Sequence, residues 1–301
     1  MEQFFQQLTN GLAVGGIYAL IALGYTMVYG VLKLINFAHG DLFTIGAYLG
    51  LTLLTSFALT DHLGSLVGVG VLAVMVAGLV GIVGILLERI AYRPLRESPR
   101  LSAVVSALGA SIFFQNAIML IYGAKFYFYP QDILPKIPIS ILGMPIPIMR
   151  ILILLASVVM MVSLYLLVQK TRIGTAIRAA AIDQGAARLM GIDVNRVIML
   201  VFLIGPALGG VAGLMVGLYY GHINFTMGWI YGLKAFTAAI LGGIGNIPGA
   251  MVGGILLGVI EALGAAYISI AWKDAIAFLV LILILIIRPT GLLGERVAEK
   301  I

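Results

Sequence analysis

Long apolar runs alternate with short polar breaks along almost the whole chain. Nine runs stand out, at approximately Asn10–Leu32, Gly40–Leu59, Leu63–Leu87, Leu101–Tyr122, Arg150–Val168, Val197–Gly221, Trp229–Gly245, Ala250–Ile270 and Ala275–Ile287. Several reach about 20 residues, the length at which an α-helix crosses the hydrocarbon layer. A backbone in lipid must satisfy its own polar groups, so each run is expected to be a helix. The pattern predicts an all-α, polytopic membrane helical bundle of about eight to ten spans, with residues 1–301 forming one transmembrane domain. Gly40–Leu59 and Trp229–Gly245 are the runs expected to be broken or re-entrant.

The breaks give the orientation. Glu88–Arg100 holds Arg89, Arg93, Arg96 and Arg100, and Gln169–Arg196 holds Lys170, Arg172, Arg178, Arg188 and Arg196. The segment after Ile287 adds Arg288, Arg296 and Lys300. All three fall on one side if the amino terminus lies outside and the carboxyl terminus in the cytoplasm, as the positive-inside bias requires. The connection Gly123–Met149, rich in proline and carrying Tyr127 and Tyr129, then lies outside. Residues Met1–Asn10 show neither a basic cluster nor a small-residue cleavage site, so the first run is expected to be a retained span.

Composition agrees. The chain is 62% hydrophobic and 10% charged, with a mean hydropathy of +1.14, too little polar surface to cover a soluble globule. The sequence pI of 9.5 reflects cations placed between spans and does not point to nucleic acid. With no Cys there is no disulfide framework, thiolate metal site or thiol nucleophile.

Gly205, Gly209, Gly213, Gly217 and Gly221 recur every four residues along one run. On a helix they form a stripe that admits a second backbone closely, with Pro206 expected to kink its start. A weak internal repeat is also expected: Gly16–Ala22 echoes Trp229–Ala235, and Asn36 and Gly40 echo Asn246 and Gly249. Transporter halves arise in this way, with solute handled where unwound segments of the halves meet.

Polar groups inside the apolar runs are the candidates for a path. Asn36, His39 and Asp41 interrupt a long apolar stretch, beside a Gly40 that permits unwinding. Exposure to lipid costs such groups several kcal/mol, so they are expected to face a cavity, a partner group or the interface. The alternative is a simple cytoplasmic helix start with Asp41 near the positive end of the dipole. Lys234 and Glu261 lie deep in predicted spans with opposite signs. Mutual pairing for structure is the expectation, and passage of a zwitterionic solute the sharper reading. Asn246 falls in a Gly-rich helix break, Gly242–Gly249, which lacks the preceding strand of a dinucleotide loop.

The break Gln169–Arg196 carries helix signals of its own. Asp183 suits an N-cap for a short helix Gln184–Met190, and Gly191 the left-handed residue that ends it. Leu189, Met190 and Ile192 present apolar surface beside the charges. The plain reading is a basic segment that sets topology and touches anionic lipid. The sharper reading is a helix that docks into a soluble partner. No GxxxxGK[ST] phosphate loop, HExxH or GxSxG occurs, so the chain is read as having no catalytic residues, metal or cofactor and as hydrolysing no ATP itself.

Four blocks together resemble one family. Ala186–Ile192 (AARLMGI) is similar to the coupling motif of ABC-importer permeases of the branched-chain amino-acid family. Ile35–Asp41 (INFAHGD) resembles that family's INFAHG signature, with Asp where Glu is common. Lys234–Ala250 is similar to its second signature, and Pro289–Gly294 to its ending. The resemblance implies a type II ABC-importer-like permease in the bacterial plasma (inner) membrane. It implies a second permease subunit, two cytoplasmic ATPase subunits and an external, periplasmic substrate-binding protein as partners, with lipid around them. It makes Asp183, Gln184, Ala186, Leu189, Met190 and Gly191 the ATPase-coupling residues. Asn36, His39, Asp41, Lys234, Asn246 and Glu261 stand as candidates for the path. A urea or short-amide permease shares these signatures. A reading of another class is a proton- or ion-coupled secondary transporter with Asp41, Glu261 and His39 as its relay.

Overall fold

A computed structural model describes residues 2–57, 65–96, 98–130, 133, 139–141 and 144–294. Among the described residues, eleven helices form the body: α1 Glu2–Leu32, α2 His39–Phe57, α3 Ser65–Leu87, α4 Arg100–Tyr122, α5 Ile148–Lys170, α6 Arg172–Ile182, α7 Gln184–Leu189, α8 Val194–Tyr220, α9 Met227–Gly242, α10 Ile247–Tyr267 and α11 Lys273–Ile287. A π turn and a 3-10 turn extend α3 to Leu95. Among the described residues, eight helices are long and apolar enough to cross a membrane. The expected run Leu63–Leu87 begins partly outside the described residues, as does the end of Gly40–Leu59.

The first expected span is longer than its apolar run. Helix α1 starts at Glu2, spans 31 residues and, at 1.5 Å per residue, reaches about 46 Å. Its polar start projects beyond the apolar layer, and the rest is the axis of the bundle. From Gly11 to Val28 nearly every side chain is buried, against α5, α8, α9 and α10. Helices α4 and α11 face outward with Ile112, Phe113, Leu120 and Ile286 exposed, as lipid-facing helices do.

Basic residues gather at one end. There Gln184 Nε2 donates to Val31 O at 2.8 Å, and Arg96 Nη1 to Asn195 Oδ1 at 2.6 Å. Residues 288–294 fold back beneath α9, with Leu292 N donating to Leu241 O at 2.8 Å. The opposite end holds the start of α1, where Arg150 Nη1 donates to Gln6 O at 3.4 Å. The 123–149 connection is not wholly irregular. β1 (Tyr127–Phe128) pairs antiparallel with β4 (His222–Ile223), and β2 (Ile139–Ile141) with β3 (Met144–Ile146).

Two helices begin inside the bundle. Lys33, in the left-handed region at φ 54°, ends α1, and the chain then turns back inward. The ring of His39, at the start of α2, lies against Gly24 and Gly209. Gly24 is eight residues before the end of α1, which places His39 about 12 Å in from that end. Helix α9 does the same from the other end. Its 16 residues make about 24 Å, less than a full crossing, so Trp229–Gly245 is a partial span.

The two starts also correspond to each other, through residues other than those of the expected repeat. Ile35-Asn36-Phe37 before α2 matches Ile223-Asn224-Phe225 before α9. Asn36 Oδ1 accepts from Ala38 N at 3.1 Å, and Asn224 Oδ1 from Thr226 N at 3.1 Å. Asp41 N donates to Ala38 O at 3.1 Å, and Trp229 N to Thr226 O at 3.2 Å. The segments enter from opposite ends and meet at Gly40 and Gly228. A Cβ on either would lie 2.3 Å from the other's carbonyl oxygen. The glycine stripe of α8 is packing surface as expected: Gly209 and Gly217 face His39 and Tyr129, and Gly221 ends the helix at φ 74°. Pro206 lies buried inside α8.

Gly228→Val is expected to destabilise the protein by about 3 kcal/mol, the upper end of overpacking, because backbone rather than a flexible side chain blocks the space. Gly78, with open space around it, is expected to accept Ala with little change. Thermal unfolding of the detergent-purified variants checks this, and equal midpoints would contradict the contact.

Candidate functional site

At the basic end, local capping builds the connection between α5 and α8. Thr171 caps α6, its Oγ1 accepting from Gly174 N at 3.1 Å. Asp183, extended at φ −153°, breaks α6 from α7 and caps the latter. Its Oδ1 accepts from Gly185 N at 2.7 Å and Ala186 N at 3.0 Å. Gly191 ends the turn at φ 81°, with Ile192 N donating back to Ala187 O at 3.0 Å. Asp193 then caps α8 through Arg196 N at 3.2 Å. The expected short helix is thus present, one residue shorter than drawn from sequence. Ala187 is its buried contact. Leu189 is 90% exposed, Met190 81% and Ile182 88%. Three large apolar side chains project from a polar segment, where each gains by being covered.

Inside the bundle, Asn36, His39 and Asp41 come together at the start of α2. Asn36 Oδ1 also accepts from the Tyr92 hydroxyl at 2.9 Å. His39 packs edge-on to Tyr25, ring centroids 4.7 Å apart. Neither of its ring nitrogens completes a hydrogen bond, and its interaction with the Ile21 backbone falls short of that geometry. Asp41 accepts from the Ser111 hydroxyl of α4. The starts of α2 and α9 direct two positive dipole ends into this region.

Lys234 and Glu261 form the expected pair, with Nζ to Oε1 at 2.7 Å. Two groups that sequence reasoning missed complete it. Asp274 Oδ1 lies 2.6 Å from the same ammonium, and the Tyr18 hydroxyl donates to Glu261 Oε2 at 2.8 Å. The side chains of Lys234 and Glu261 are 4% and 8% exposed, whereas Asp274 is 45% exposed. Burying one ammonium is tolerable here because two carboxylates and a phenol replace its water. The pair crosses from α9 to α10, and Asp274 adds the first turn of α11. Asp274 sits in a polar break between two runs, where a charge is unremarkable, and Tyr18 lies in a run with no local signal.

The proton relay read from sequence is not joined. Glu261 bonds Lys234 and Tyr18, Asp41 bonds Ser111, and His39 bonds neither, among the described residues. Asn246 stands apart from the other five path candidates, at the basic end. It caps α10, accepting from Gly249 N at 2.9 Å, and donates to Leu293 O at 2.8 Å. There it lines a cavity of about 620 Å³ with Tyr29, Lys33, Arg178 and Ile244. Of the histidines outside this region, His222 lies on β4 and His62 outside the described residues. Among the described residues, no cluster of His, Asp and Glu is arranged to hold a metal ion.

Comparison with known proteins gives a consistent result. The family model described as "Branched-chain amino acid transport system / permease component" matches residues 7–285. The chain is 47% identical to the high-affinity branched-chain amino acid transport system permease protein BraD of Pseudomonas aeruginosa, over 99% of this chain and 98% of that one. It is 43% identical to the corresponding protein LivH of Escherichia coli K12, over 99% and 98%. A probable branched-chain amino acid transport permease of Methanocaldococcus jannaschii is 30% identical over 95% and 91%.

Lys234→Met is expected to cost about 3–5 kcal/mol, since it leaves the buried Glu261 carboxylate without a cation, and Glu261→Gln to cost less, since Asp274 still faces the ammonium. The double change Lys234→Met, Glu261→Gln is expected to recover much of this loss. Unfolding of the three variants in detergent measures it, and additive losses without recovery would contradict the pairing.

Proposed function

We propose that this chain, which belongs to the branched-chain amino acid transport permease family, is the membrane-spanning subunit of an ATP-driven importer for branched-chain amino acids. Its residues 1–301 form one permease domain. It works with a second permease subunit, two cytoplasmic ATPase subunits and an external substrate-binding protein in the bacterial inner membrane. The basic end is cytoplasmic and the amino terminus outside. The observation that carries the reading is α7: a capped helix with Leu189 and Met190 exposed, on a chain without a phosphate loop.

The division of labour follows from the fold. ATP-driven movement of the ATPases reaches the permease through α7. Gln184 ties that helix to the last turn of α1, the bundle axis, so a push on α7 bears directly on the core. The path runs past the re-entrant starts of α2 and α9, with Asn36, His39 and Asp41 beside it. Inward-directed helix starts suit the carboxylate of an amino acid. The Lys234–Glu261 pair braces the outer half, and Asn246 borders the cytoplasmic mouth.

Orientation has a direct test in a chain without native Cys. Single Cys residues at Gln184 and Lys125 are expected to react with impermeant thiol reagents from opposite sides of the membrane. Reaction of both from outside would overturn the orientation.

Coupling has its own. Leu189→Ala removes an interface anchor worth about 1–3 kcal/mol, which weakens a complex roughly 5- to 150-fold. Gly191→Val forces a β-branched residue into left-handed backbone and redirects the helix end. The double variant is expected to insert normally and to lose both ATPase co-purification and ATP-dependent uptake. Normal association and uptake would return the segment to a topology signal.

A further inference from the structure

The turn that follows α3 and the coupling helix enclose a cleft that transport does not explain. It measures about 740 Å³ and is lined by Tyr92, Arg93, Arg96, Gln184, Arg188 and Asn195 among its polar groups. Three guanidinium groups therefore share one space. Arg96 is the only one of them engaged by a carboxylate among the described residues, through the buried Glu88. Its Nη1 donates to Asn195 Oδ1 at 2.6 Å, yet its Nε is buried with no hydrogen-bond partner. Burial lowers the proton affinity of Arg96. Glu88 opposes that effect, and the nearby Arg93 and Arg188 add to it. Among the described residues, the site holds more positive charge than it pairs with carboxylates.

The surroundings indicate what sort of anion fits. Arg93 and Arg96 close the end of a helix whose outward face carries Leu86 at 49% and Ile90 at 74% exposure. Leu101 and Val105, on the first turns of α4, are 72% and 60% exposed, and Ala103 of the same helix lines the cleft. The basic cleft thus lies beside exposed apolar surface of α3 and α4.

We propose that this cleft holds the phosphate of an anionic phospholipid from the cytoplasmic leaflet, with its chains laid along α3 and α4. Basic pockets between spans on the cytoplasmic side are suited to such headgroups. Arginine forks match phosphate oxygens in pairs, and the unpartnered Arg96 Nε is a donor waiting for one. Because Arg188 and Gln184 belong to α7, a bound lipid joins the coupling helix to the α3 turn. Occupancy of the cleft then sets how firmly α7 is held. This rests on the cytoplasmic placement of the basic end but not on the identity of the transported solute.

The test uses the full-length chain purified in detergent. Phosphatidylglycerol, phosphatidylcholine and inorganic phosphate are titrated separately, read by native mass spectrometry and by thermal stabilisation. Phosphatidylglycerol is expected to bind and stabilise, phosphatidylcholine to do neither, and millimolar phosphate to compete weakly. Arg93→Gln with Arg188→Gln is expected to weaken phosphatidylglycerol binding about 10- to 30-fold. Arg93→Lys with Arg188→Lys is expected to restore part of it, the charge without the paired geometry, which shows that the fold tolerates change at both positions. Arg150→Gln, at the opposite end, is expected to change nothing. Equal phosphatidylglycerol binding by wild type and the Gln variant overturns the proposal. So does full stabilisation by phosphate alone, which would make the ligand a free anion. Loss of ATPase association in the Gln variant with lipid binding intact also overturns it, since the cleft would then receive carboxylates of the partner. Thiol labelling at Gln184 and Lys125 separates failure of this site from failure of the orientation beneath it.

Discussion

Backbone meets backbone at Gly40 and Gly228, and the architecture turns on that contact. In hydrocarbon no water satisfies the amides of an interrupted helix, so a break is tolerated only where protein encloses it. Here two breaks enclose each other. Each uses the same asparagine turn to satisfy its own amides, and each leaves a glycine where the other chain segment must pass. A side chain at either position would separate the starts of α2 and α9 and expose both to an apolar medium. The stripe on α8 and the glycines of α1 extend the same solution, adding close backbone approach to the packing of large side chains such as Tyr18, Phe43 and Phe202.

Charge inside the bundle follows the same logic of enclosure. Lys234 is surrounded by Glu261, Asp274 and Tyr18, and Asp274 is the most exposed member of the cluster. A lone charge at that depth costs several kcal/mol, whereas this group exchanges water for fixed partners and ties four helices together. Hydrogen bonds here are local and closed. That is the signature of a brace, and it separates the cluster from a chain of sites that hands protons on.

Legibility varied with how local the physics was. Eight of the nine apolar runs correspond to helices long enough to cross, because length and hydropathy act within one segment. The short helix Gln184–Leu189 was readable to within a residue because Asp183 and Gly191 fix its ends through their own backbone neighbours. The likeness of the two helix starts was not legible for the opposite reason. Helices built from Gly, Ala and Leu match one another by chance, while this correspondence sits in two short polar turns, INF at 35–37 and INF at 223–225. Asp274 and Tyr18 were missed because their roles come from residues far away in sequence. His39 was correctly placed among buried groups, but its packing against Gly24 and Gly209 depends on three segments meeting. The shortness of α9 likewise became visible only once its start was seen against Gly40.

The central claim is that this chain moves branched-chain amino acids only when an ATPase drives it through α7. Uptake of radiolabelled leucine into proteoliposomes tests it most directly, with the chain and its permease partner reconstituted with or without the ATPase subunits, and the external binding protein supplied. Accumulation that requires both ATP and the ATPase subunits, and that is indifferent to an imposed proton gradient, is the predicted result. Accumulation driven by the proton gradient without the ATPase subunits would contradict it.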